Sequence, residues 1–307
     1  MDTSLIVTSR PNLPAGLHAA TREQHHALNT SITARLPLCL PPCVDSPRLY
    51  ILGMMVFGQI YFAFEDFLEK SLTTSTVLDA RLREVYQRVK FRELTRTSRL
   101  RDDIELLQSR LDATAVADLN QLSEQAQRVF ASRITSSLAA RPHALLAYAW
   151  AMYLALFNGG RWIRRQLVSA GTDFWGPGEL PLSFWVFEVD DGGDIHHEAL
   201  KMRFKTAFAE ASALLTDVES SEVIDESKNL FVTCSQMVEF LDKAVAERAS
   251  SDESRLGASD PPDSTAGLGY RSPASSFVTA WGYITSSLAS LKTTSKVVWG
   301  PRVEVND

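Results

Sequence analysis

The sequence predicts an all-α fold, and three observations carry that prediction. Gly and Pro are scarce, at 15 and 13 of 307 residues, where together they usually make up roughly 12% of a protein. Ala and Leu, strong helix formers, are frequent. Apolar residues recur at spacings of three and four through long stretches, the period of a helix with one buried face. The composition is globular, 45% hydrophobic and 22% charged, which excludes a disordered chain. The net charge of −6 argues against nucleic acid as a partner, because phosphate binding wants a basic surface. Three cysteines build no disulfide framework and do not alone close a four-ligand zinc site. A reducing, intracellular compartment is therefore expected.

The length fits two ordinary domains or one large helical domain with a tail, and the pattern favours the second. Residues 1–12 read as a flexible arm, 13–248 as the helical domain, 249–275 as a flexible linker rich in Ser, Asp, Gly and Pro, and 276–307 as a C-terminal segment with a short amphipathic helix. No signal peptide is visible at the N-terminus. No uninterrupted apolar run reaches the ~18 residues of a spanning helix. The nearest candidate, Phe277–Leu291, is short and interrupted by Thr279, Thr285, Ser286, Ser287 and Ser290. It reads as a surface or docking helix, and as the candidate contact to an intracellular membrane for an otherwise cytoplasmic protein.

The first helix is predicted from about Pro14, with Leu17, Thr21, His25, Leu28 and Ile32 on one face, until Pro37, Pro41 and Pro42 end it. Asp45 or Ser46 before Pro47 is the expected cap of a second helix running to about Leu72. That helix is apolar nearly all round, as a central helix should be. Its Gly53 and Gly58 suit close helix packing, since no Lys-Ser/Thr follows to make a phosphate loop. Residues 78–138 give two or three amphipathic helices. They include a basic run from Arg81 to Arg101, read either as a solvated face or as a dock for an acidic partner. From Pro142 a long helix is predicted to about residue 170. It contains Asn158-Gly159-Gly160, and two helical glycines cost roughly 1 kcal/mol each against Ala. A kink, or close approach of the backbone to another object, would offset that cost. A loop over 171–193 and two further helices, 194–217 and 221–248, complete the pattern.

No dinucleotide, Walker, nucleophile-elbow or zincin motif is present. What remains is a histidine on the inner face of the first helix and a glycine-kinked helix far along the chain. A flat, apolar cofactor would explain both. Imidazole is the common axial ligand of haem iron, and glycines let a helix backbone pass close over the macrocycle. His26 points about 100° away from His25 and reads as surface.

These residues resemble the haem oxygenase family. Ala20-Thr21-Arg22-Glu23-Gln24-His25 looks like the proximal helix, with His25 at the iron-ligand position. Val56-Phe57-Gly58-Gln59-Ile60-Tyr61-Phe62-Ala63-Phe64-Glu65-Asp66 is similar to the central helix. Tyr153-Leu154-Ala155-Leu156-Phe157-Asn158-Gly159-Gly160-Arg161 resembles the distal helix, and Phe204-Lys205 falls where the family holds a haem propionate. Order and spacing agree over about residues 14–248. The resemblance implies a haem oxygenase-like multi-helical bundle that binds haem and opens it to biliverdin, carbon monoxide and iron. Its implied partners are dioxygen and a flavoprotein reductase as electron donor, for which the Arg81–Arg101 run is the candidate dock. The implied site is His25 on iron; Asn158, Gly159 and Gly160 at the catalytic face; and His18, Tyr153, Arg161 and Lys205 around the haem.

The sequence departs from the family at the distal helix. The position of the Asp that organises a proton-delivering water is Leu156, which neither donates nor accepts a hydrogen bond. The preceding Gly is Ala155, the Ser is Asn158 and the Gln is Arg161. Near the proximal ligand, Asn29 and His18 replace a carboxylate and a basic residue, and Ala209 stands one turn after Lys205. Three alternatives therefore stay open. One is a haem carrier or sensor without catalysis, another a peroxidase-like haem protein. The third is a di-iron oxygenase on the same fold, with two non-haem irons held by Glu23-x-x-His26, Asp194-x-x-His197 and Glu65. Cys39 and Cys43 in Cys-Leu-Pro-Pro-Cys read as a plain loop. The cluster Asp190, Asp191, Asp194, His196, His197 and Glu198 reads as loop and cap charge.

Overall fold

A computed structural model of the chain describes residues 12–74, 78–187 and 193–256. The described residues form helices and short turns, with no strand among them. The expected arm, the residues after 256 and the candidate membrane helix lie outside the described residues.

Helix α1 spans Leu13–Arg35, with Pro14 in its first turn, and a 3₁₀ turn, Leu36–Cys39, ends it. The central helix α2 spans Arg48–Thr73. Its N-cap is Pro47, which makes no side-chain bond, so the expected Asp45 or Ser46 cap is not used. By length and composition α2 would cross a membrane, but 67% of its apolar window is buried among other helices. It is the core helix, touching α3 (Ala80–Val89), α4 (Thr97–Gln108), α5 (Ala113–Ala126), α6 (Ser132–Ala140) and α7 (Leu145–Ala155). Gly58 explains how α4 comes so close. A Cβ there would stand 2.8 Å from Leu100 Cδ2, a contact no side chain tolerates without a shift of the leucine.

The long helix predicted from Pro142 is broken into pieces. A 3₁₀ turn, Pro142–Ala144, leads into α7; a π-turn, Leu156–Gly160, follows; and α8 spans Arg161–Ser169. The offset that the two glycines require is thus a π-bulge, a usual cause of helix distortion. A short α9, Gly171–Trp175, and a 3₁₀ turn, Ser183–Trp185, lie inside the expected loop. Helices α10 (Gly193–Ser212) and α11 (Asp217–Leu256) close the order. α11 continues past residue 249 into the expected linker, because its Ala, Glu and Arg favour helix and no Gly or Pro intervenes before Gly257.

Polar bonds join the helices around the hydrophobic core. Arg35 of α1 pairs with Asp242 of α11 at 2.6 Å, and Tyr61 of α2 donates to Met152 O of α7 at 3.0 Å. Buried Glu226 of α11 accepts from Ser137 Oγ, Arg141 Nη2 and the Tyr148 hydroxyl at 2.8, 2.8 and 2.5 Å. The basic run is not a free face. Arg81 pairs with Glu219, Arg88 with Glu84 and Glu210, and Lys90 with Glu69, while Arg96 is wholly buried. Two of these charges, Arg81 and Arg88, tie α3 to α11 and α10, and Lys90 ties its end to α2.

Candidate functional site

Two helices position the predicted site, with a third touching both. α10 packs on α1 and on α7, so the proximal and distal segments share a neighbour. Along α1, Leu13, Leu17 and Thr21 are buried, and Thr21 returns its hydroxyl to Leu17 O at 2.8 Å. His18, Arg22, His25 and Asn29 lie on the exposed side. His25 was expected on the buried face with Leu17 and Thr21; it stands on the flank of that face, and its ring meets Phe231 of α11 edge-on. Enough protein surrounds the ring that burial lowers its pKa, with His18 and His26 adding repulsion. The imidazole is thus neutral at pH 7, with a lone pair available for a metal. His26 is exposed, as expected.

The distal segment divides sharply. Leu156, Phe157 and Gly160 pack inward, whereas Ala155 and Asn158 are exposed and Gly159 is half-buried. The π-turn creates this division, since one extra residue in a turn rotates everything after it. A Cβ added to Gly159 would meet nothing within 4 Å. A Cβ on Gly160 would stand 3.4 Å from the Trp185 ring. The glycine pair therefore does two jobs. Gly159 leaves backbone bare on the open side, and Gly160 seats an indole on the protein side. Gly160 was expected at the catalytic face and instead packs against Trp185. Leu156, at the position of the family's distal carboxylate, is only 4% exposed, so the polar side chain on the open stripe is Asn158.

Tyr153, expected beside a cofactor, lies in the core at 1% exposure. Its ring meets Phe64 and Phe204 edge-on, and its hydroxyl donates to Glu65 Oε1 at 3.1 Å. Glu65 also accepts the main-chain N–H groups of Arg96 and Thr97 at 2.9 and 2.8 Å. It thus caps α4 from another helix. Burial raises its pKa while these bonds oppose the rise. A carboxylate so engaged is not available to iron. Glu23 and His26 are exposed, and no cluster suited to a metal ion occurs among the described residues. The two-iron alternative is thereby unsupported; of its second pair, the Asp194 side chain lies outside the described residues. Arg161 is half-buried at the start of α8 and Lys205 is exposed on α10 beside buried Phe204. Asp190 and Asp191 lie outside the described residues, and Cys39 and Cys43 are free thiols.

Several contacts gave no sequence signal. Phe187 stacks on Phe157 with centroids 4.6 Å apart and planes 8° from parallel. The Arg96 guanidinium lies over the Phe187 ring, 4.7 Å from its centroid. Asp103 of α4 accepts the N–H groups of Ser183 and Phe184 at 2.9 and 2.8 Å.

Comparison with known proteins agrees with this architecture. The chain matches the family described as heme oxygenase over residues 12–240. It is 22% identical over 244 residues to the heme-binding protein HMX1 of Saccharomyces cerevisiae, covering 69% of each chain. Among solved structures, heme oxygenase 2 from Chlamydomonas reinhardtii without heme superposes with a TM-score of 0.58 at 20% identity, over 74% of this chain and 96% of that one. Heme oxygenase-1 from the cyanobacterium Synechocystis sp. PCC6803 in complex with heme gives 0.56 at 16% identity, over 80% and 99%.

Proposed function

Since the chain belongs to the haem oxygenase family, we propose that it binds haem between α1 and the π-turn, and oxidatively opens it to biliverdin, carbon monoxide and iron. The observation that carries this reading is the open stripe Ala155, Asn158 and Gly159 on a helix otherwise packed inward. Bare backbone facing open space is what a planar macrocycle needs in order to lie close to a helix.

The residues fit the group. His25, neutral by partial burial, would hold the iron. Exposed Lys205 and His18, with Arg161, carry positive or protonatable groups suited to the propionates. When bound, haem supplies the iron at which dioxygen is reduced with electrons from a donor such as a flavoprotein reductase. The chain's own part is to orient the ring, exclude bulk water through Leu156 and Phe157 behind the stripe, and hold a water at Asn158. A carboxamide both donates and accepts, so Asn158 can order a water. It has no titrating proton of its own to give.

That last point favours a second reading, a haem carrier in which the pocket is kept and ring opening lost. The stripe carries Asn158 where proton delivery would want a carboxylate, and Leu156 is turned into the core. The test is direct. Haem is titrated into wild type and His25→Ala and followed by its Soret band, then reductant and reductase are added and the products separated. A Soret shift lost in the variant, followed by biliverdin, supports the proposal. Binding with only unopened haem recovered selects the carrier. No Soret shift in wild type overturns both.

A further inference from the structure

Behind the distal π-turn run residues 182–187, a strap whose own main-chain bonds are those of one 3₁₀ turn, Trp185 N to Leu182 O and Val186 N to Ser183 O. Its anchors come from α4 and the residues just before it. Arg96 is fully buried, at 0% exposure. Its Nη1 donates to Phe184 O and Val186 O at 3.3 and 2.7 Å, its Nε to Leu94 O at 3.0 Å and its Nη2 to Glu93 O at 2.5 Å. Asp103 fixes the same strap from its other end by accepting from Ser183 N and Phe184 N. Burying a guanidinium is costly unless its donors are answered, and here each of its three nitrogens donates to a main-chain carbonyl. Burial lowers its pKa to about 10, which still leaves it charged at neutral pH.

The strap presents two rings to the π-turn. Phe187 lies flat on Phe157, with the guanidinium of Arg96 on its ring. Trp185 stands against Gly160 and donates its Nε1 to the Tyr50 hydroxyl at 2.9 Å. Phe157 and Gly160 are, with Leu156, the inward residues of the turn whose outward residues are Asn158 and Gly159. A π-turn is a locally unfavourable helix form, so its position depends on what it rests upon.

We infer that Arg96 is a positioning residue for haem, setting through the Phe187–Phe157 stack how far the Gly159 backbone and the Asn158 carboxamide stand from the ring. This inference rests on the haem-binding reading above. Lysine would not replace the arginine, because a single ammonium cannot span carbonyls on both sides of a planar fork.

The test uses the full chain with Arg96→Met, Arg96→Lys and Phe187→Leu, and Leu138→Ala as a comparison. Leu138 is fully buried in α6 and reports plain loss of stability. Two readouts are taken: hydrogen exchange of the residue 156–160 amides in the haem-free protein, and haem affinity with the ferric Soret and spin-state signature. The expected result is faster exchange in the π-turn, about tenfold weaker haem binding and an altered spin-state mixture in the Arg96 and Phe187 variants. Leu138→Ala, with a comparable fall in Tm, should keep the wild-type spectrum. If Arg96→Met does not fold, Phe187→Leu decides. Wild-type exchange and spectra in Phe187→Leu, in a wild type that binds haem, overturn the positioning role alone. A wild type that shows no Soret change removes the haem reading, and this inference with it.

Discussion

The His25 imidazole meets the Phe231 ring edge-on, with centroids 5.9 Å apart and planes 83° from one another. This contact fixes the orientation of a side chain that is otherwise exposed, and it joins α1 to α11. Edge-to-face aromatic pairs contribute roughly 0.5–1.5 kcal/mol. His25→Ala should therefore cost the haem-free protein only about 1 kcal/mol in chemical denaturation while abolishing the iron-ligand spectrum. Phe231→Leu should keep the ligand but weaken haem affinity several-fold, because the imidazole loses its aim. A spectrum unaffected by His25→Ala would mean that another residue binds the iron.

The two adjacent glycines should respond differently to alanine. Each sits in helical backbone, so Ala at either position should raise the stability of the haem-free protein by about 0.5–1 kcal/mol. At Gly160 the new methyl makes an ordinary contact with Trp185; at Gly159 it projects into open space. Paired thermal melts and haem titrations should show both variants more stable and only Gly159→Ala impaired in binding. Equal haem affinity for all three proteins would remove Gly159 from the site.

Acid should loosen the seam between α3 and α11. Hydrogen bonds from Arg81, 2.8 and 2.7 Å long, hold Glu219 down at about 2 against an ordinary 4.5, with burial opposing. A depressed carboxyl contributes stability that is full above about pH 4.5 and is lost as the pH falls towards 2. Arg81 is partly exposed, so solvent screening discounts the pair to roughly 0.5–1 kcal/mol. Glu219→Gln should be less stable than wild type by about that amount at pH 7, and the gap should close at low pH. A pH-independent gap would assign the loss to packing instead.

Thiol chemistry should separate the three cysteines. Burial pushes the Cys39 and Cys234 thiols up to about 12, and Cys39 also donates to Arg35 O at 3.6 Å. Cys43 is exposed. A thiol reagent at pH 8 should label Cys43 rapidly in the native protein and the other two only on unfolding. Rapid native labelling of Cys39 would show that the turn after α1 opens.

Much of the scaffold was legible because its signals are local. Pro37 stops α1, Pro142 marks where a new element starts, and the all-round apolar α2 could only be central. Gly58 was readable as a packing glycine from its place in that helix. The site was legible in part. The resemblance picks out His25 and the Gly159-Gly160 pair, whereas spacing set His25 on the buried face and the structure sets it on the exposed flank, and the split between Gly159 and Gly160 depends on a π-turn that a fixed period of 3.6 does not register. Likewise nothing in the run from Arg81 to Arg101 distinguishes Arg96, fully buried beneath a strap nearly ninety residues later, from Arg88 on the surface. Tertiary contact chooses between them. Glu65 looked like a metal ligand for the same reason, since its real partners are main-chain N–H groups on another helix.

The cap that Glu65 places on α4 ties two otherwise separate properties together. The same carboxylate receives the hydroxyl of Tyr153, one turn ahead of the bulge. Evolution or an engineer altering that carboxylate would disturb the footing of α4 and the approach to the bulge in a single stroke. Drift in ligand preference and drift in thermal tolerance are therefore expected to travel together in this chain, even where no side chain near the open stripe has changed.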